Sequence, residues 1–139
     1  MNLKNKNFLS IGSFLFISIG GYHIFLPYLW NWKEFSNTMP DMVEWALYAV
    51  NFFMSCLMIL IGIFTLVIIK KQSNKNNLIL LLGALYWVSN FVYQIIYPTP
   101  IPQELYAMKI GFLIPPVIGF CCYIIPFIAF KNSKEKNIL

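Results

Sequence analysis

The chain holds few groups that could do chemistry in an apolar setting: His23, Asn51, Asn90, Gln94 and Glu44. An imidazole donates, accepts or takes a proton, and a carboxamide donates and accepts at once. That set suits recognition of a polar headgroup by hydrogen bonds better than it suits covalent chemistry. Tyr22, Tyr48, Tyr93 and Trp87 stand beside these residues and can wall a pocket. A single histidine cannot assemble a bis-histidine haem or a multi-histidine metal site within one chain. No Ser-His-Asp set, H-E-x-x-H, paired carboxylates inside a span or phosphate loop is present. No catalytic residue, metal or cofactor is therefore expected. Cys56, Cys121 and Cys122 form no C-x-x-C and read as small apolar residues.

The elements that position these groups follow from composition. Of 139 residues, 59% are hydrophobic, 18% aromatic and only 11% charged. Soluble domains carry about 25% charged residues, so lipid is the expected solvent. Four apolar stretches, at about 8–30, 43–69, 78–97 and 105–130, each reach the roughly 20 residues that a membrane-crossing helix needs. Backbone groups in lipid must be satisfied internally, by helices or a closed barrel. The runs are too long for tilted strands and lack strict alternation. The sequence thus predicts an all-α membrane protein: one domain, a four-transmembrane-helix antiparallel bundle. Short connections are expected to keep sequential helices adjacent.

All ten basic residues are lysines, which leaves no arginine fork for phosphates or base edges and argues against nucleic acid. Eight of them, Lys4, Lys6, Lys70, Lys71, Lys75, Lys131, Lys134 and Lys136, fall on one side of the expected topology. The other side has Lys33 and Lys109 against Glu34, Asp41, Glu44 and Glu104. Positive-inside asymmetry then places both termini in the cytoplasm, in an inner membrane of bacterial type. Trp30, Trp32, Trp45, Tyr97 and Tyr106 gather at the outer boundary, where interfacial rings belong. A competing reading takes Lys4, Lys6 and the run 8–19 as a signal peptide cleaved after Gly20; against it, apolarity continues to Trp30.

Within the spans the polar residues fall on stripes. Glu44, Tyr48, Asn51, Ser55, Met58, Gly62 and Thr65 follow at alternating spacings of four and three, one face of a helix. Gly83, Tyr86 or Trp87, Asn90, Gln94 and Tyr97 do the same in the third span. His23 lies about 10 Å inside Trp30 by helical rise, and Asn90 lies about as far inside Tyr97. Asn51 is at a similar depth below Glu44. Four polar groups from three spans are thus expected to turn inward and meet at one level, with Glu44 at the pocket mouth. Pro115 and Pro116 are expected to kink the fourth span near that level. Ser13, Gly20, Gly21, Gly111 and Gly119 offer small-residue surfaces for self-association.

The runs GYHIFLPYLWNW and LYWVSNFVYQ resemble small uncharacterised four-helix membrane proteins with H-x-x-x-P and tryptophan ending the first helix. That family also carries an aromatic-Trp and a Gln in its third helix. The matching positions are His23, Pro27, Trp30 or Trp32, Trp87 and Gln94, while the family's third-helix Arg is replaced by Ser89 or Asn90. The resemblance covers two of four spans; it implies the four-helix membrane fold and no activity.

The function expected from the residues is binding of a lipid-like or other small amphipathic ligand in an outer-half polar pocket. The alternative is an accessory subunit of a membrane complex, with the polar cluster as interhelical glue. A third reading, a small proton-coupled transporter, lacks a carboxylate deep in the first span.

Overall fold

The computed structural model describes residues 3–71, 77–98 and 106–135. Most of the lysine-rich turn expected at 70–77, most of the proline-rich turn expected at 98–103 and the end of the tail lie outside them. Five helices follow one another: α1 (Leu3–Leu29), α2 (Trp32–Ser36), α3 (Asp41–Lys71), α4 (Asn77–Ile96) and α5 (Tyr106–Glu135). Four of them, all but α2, are long and apolar enough to cross a membrane. At 31 residues α3 is about 46 Å long, more than a hydrocarbon core requires. The short helix α2 divides the connection that the sequence shows only as polar. Asn31, at φ 47°, is the one non-glycine residue with positive φ among those described, and it turns the chain from α1 into α2. Asparagine tolerates that left-handed conformation better than most residues.

The long helices pack as two antiparallel pairs of consecutive spans, α1 with α3 and α4 with α5. Helix α1 makes its largest contact with α3 and a second with α5; α4 packs mainly on α5, and α3 and α4 meet only lightly. The expectation that every sequential pair is adjacent therefore fails at α3 and α4. The reason lies in α1, which is closely packed on two sides. A Cβ on Gly20 would stand 2.9 Å from the Ser55 carbonyl oxygen, and one on Gly62 would stand 2.9 Å from that of Ser13. The α1 and α3 backbones thus cross almost in contact, the geometry that small residues permit between helices in lipid. Ser13 and Ser55 face this crossing because each hydroxyl donates to a carbonyl one turn back, Leu9 at 2.7 Å and Asn51 at 2.6 Å.

On its other side α1 meets an aromatic cluster. Phe16 stacks 4.8 Å from Trp87, 5.2 Å from Tyr86 and 5.3 Å from Tyr123, between ring centroids. Tyr123 slots between Gly12 of α1 and Gly83 of α4, and Trp87 lies against Gly119. Ser13, Gly20 and Gly119, which the sequence offers for self-association, are therefore occupied within the chain. Gly21 and Gly111 alone of that set have open space where a Cβ would be. Outward faces carry Phe14, Phe25, Phe53, Phe64, Leu85 and Ile118, all exposed. With no water-soluble covering, these surfaces imply contact with a lipid bilayer.

Candidate functional site

A cavity of about 240 Å³ opens where all four long helices converge. Helix α1 contributes Tyr22 and His23, α3 Met58, α4 Tyr86, Trp87, Asn90 and Gln94, and α5 Phe112, Pro115 and Pro116. Three of the four polar groups expected to meet, His23, Asn90 and Gln94, line this one space. The α4 pair is local: Gln94 Nε2 donates to Asn90 Oδ1 at 2.8 Å, as i,i+4 neighbours on a helix allow. That bond leaves the Asn90 N–H groups and the Gln94 carbonyl with open valences. The His23 ring meets Tyr22 edge-on at 6.0 Å, and among the described residues its nitrogens carry no hydrogen bond.

Trp87 is the telling wall. It is only 2% exposed, and its indole N–H finds no acceptor among the described residues. Buried donors in folded proteins are nearly always paired; this one is packed against Gly119 of α5. Acceptors are in surplus on the facing helix. Pro115 and Pro116 have no N–H, so the carbonyls of Gly111 and Phe112 lose their helical donors. No carboxylate and no lysine is among the residues lining this cavity. Its recognition chemistry is neutral hydrogen bonding set among aromatic and apolar walls.

The other expected site residues lie elsewhere. Asn51 donates from Nδ2 to the His23 carbonyl oxygen at 2.8 Å, so it joins α3 to the backbone of α1 instead of lining the four-helix cavity. Tyr48 packs edge-on to Trp32 at 5.8 Å and is not among the residues lining this cavity. Tyr93 is 62% exposed and stacks on Tyr97; a step of about 100° round the helix from Gln94 carries it off the face that holds Asn90 and Gln94. Glu44 accepts a 2.6 Å hydrogen bond from Ser36, tying α2 to the start of α3, and is not at the mouth of this cavity. The sequence reading passed over Met58 and Tyr86 as site residues. Both sit on the inward stripes, Tyr86 one turn before Asn90, so position on the stripe was the available signal.

These placements separate glue from open groups experimentally. Asn51→Leu is expected to lower stability by about 0.6 kcal/mol, the average worth of an interhelical bond in lipid, and by up to about 1.7 kcal/mol. Tyr93→Leu should change it by less than about 0.5 kcal/mol, as at most exposed positions. Titration with a denaturing detergent, followed by circular dichroism, reads both.

Among the described residues no group of three His, Cys, Asp or Glu gathers as metal ligands would. Comparison with known proteins finds no matching family model, curated protein or solved structure.

Proposed function

We propose that this chain is a small multi-pass protein of a bacterial cytoplasmic membrane that binds a neutral amphipathic molecule in its four-helix cavity. The convergence of His23, Asn90 and Gln94 on one uncharged cavity carries the reading. Asn90 and Gln94 hold the polar end, and His23 bonds to it from α1. Tyr22, Tyr86 and Phe112 enclose the apolar part. Both termini lie in the cytoplasm, on the lysine-rich side, which puts the cavity in the outer half of the bilayer. A bend at Pro115 and Pro116 gives α5 the clearance that the cavity needs. Gly21 and Gly111 are the small-residue faces left for a second copy.

The test is native mass spectrometry of protein extracted in a mild detergent, followed by release and identification of bound small molecules. A neutral, hydroxyl- or amide-bearing species is expected in the wild type and should be lost from the Asn90→Leu/Gln94→Leu variant at unchanged helicity. A wild type that is empty in every gentle extraction overturns the proposal. A double variant that unfolds assigns the pair to glue, which is the accessory-subunit reading.

A further inference from the structure

A second, larger groove of about 510 Å³ lies on the opposite side of α1, where α1, α2 and α3 meet. We infer that it seats the phosphate headgroup of an anionic phospholipid. Lys33 is the one charged residue among its lining residues. Glu34 follows Lys33 in sequence but is not part of the lining, and the Glu44 carboxylate is engaged by Ser36. Around the lysine stand Asn31, Tyr48 and Asn51, which can donate to phosphate oxygens. Deeper, Ile24 and Phe52 offer an apolar wall to the first methylenes of an acyl chain.

Depth fits the same occupant. The groove sits beside Trp30 and the exposed Tyr28, at the end of α1, the level at which aromatic rings mark the headgroup layer. The left-handed Asn31 turns the chain so that α2 folds back beside the start of α3, and Trp32 of α2 packs on Tyr48. Lys33, itself exposed, thereby borders an amphipathic slot. The two sites divide by chemistry: the four-helix cavity contains no charge, whereas this groove contains one cation. The inference does not depend on what occupies the cavity.

The experiment uses the full chain in nanodiscs doped with phosphatidylglycerol that carries a photoreactive group near the start of one acyl chain. Peptide mass mapping then locates the label. Labelling is expected at residues 24–31 and around Phe52, falling roughly fivefold in Lys33→Gln, the effect of one interfacial lysine on an anionic lipid. Lys33→Arg and Lys70→Gln/Lys71→Gln should both retain it. Three results would overturn the assignment: labelling unchanged in Lys33→Gln, equal labelling by the phosphatidylcholine probe, or label spread evenly over the four spans. Loss of label to millimolar inorganic phosphate would show a site for a free anion and would also count against a lipid occupant.

Discussion

Gly62→Val should break the contact between α1 and α3. The added Cβ would stand 2.9 Å from the Ser13 carbonyl oxygen and 3.3 Å from the Ile17 amide nitrogen. Both are backbone atoms inside a helix and cannot swing aside as a side-chain tip can. Valine then adds two methyl groups at the same spot. The nearest atom, Ile17 Cγ1 at 2.7 Å, belongs to a side chain, but the two backbone atoms cannot give way. Overpacking of this kind costs about 1–3 kcal/mol, and Gly62→Val is expected near the top of that range. Gly20→Val should behave alike, since the Ser55 carbonyl oxygen faces it at the same 2.9 Å. Gly21→Ala and Gly111→Ala are the matched controls: neither Cβ would meet an atom within 4 Å. Alanine favours a helix by about 1 kcal/mol over glycine, so both should be as stable as the wild type or more so. A denaturing-detergent titration in which Gly62→Val matched Gly111→Ala would refute the close crossing.

The second large effect is expected at Tyr123, which is 0% exposed and touches every other long helix. Its ring lies edge-on to Phe16 of α1 and fills the slot left by Gly12 and Gly83. Its hydroxyl meets Thr65 Oγ1 of α3 at 3.0 Å. Thr65 already donates to the Ile61 carbonyl oxygen at 2.8 Å, so Tyr123 is the donor of the pair. Tyr123→Ala empties a space bounded by three helices and should cost about 3–5 kcal/mol, as large aromatic truncations in cores do. Tyr123→Phe keeps the ring and loses one interhelical bond, worth about 0.6 kcal/mol. The ratio of the two is the diagnostic. Equal losses would mean that the hydroxyl, and not the ring, holds the helices.

The contrast between stripe and partner explains how much was legible beforehand. Ser55, Met58, Gly62 and Thr65 are buried in α3 as their spacing predicts, because in lipid only an inward face can hold polar and small residues. The same logic brings Asn90, Gln94 and His23 to one cavity. It cannot say which neighbour a stripe will meet. Asn51 has the right depth and face, yet its partner is a backbone carbonyl, a group no side-chain pattern reveals. Tyr93 differs from Asn90 by three positions, close enough on a helical wheel to suggest a shared wall, but it lies on the outward margin. The placement of α1 between α3 and α5 was also hidden. It depends on Gly12 and Gly20 serving two opposite neighbours, whereas a run of small residues reads as one surface.

The light contact between α3 and α4 has a consequence for biogenesis. Helix α1 leaves the ribosome before α3, so α3 finds its main partner already inserted. Helix α4 emerges next and has almost nothing to dock on until α5 follows it. During that interval Asn90 and Gln94 can satisfy each other through their side chains, which lowers the penalty of waiting in lipid. A chain truncated after residue 97 and released into the membrane should accordingly hold α1 and α3 together while α4 drifts free, open to insertion chaperones and to intramembrane proteolysis.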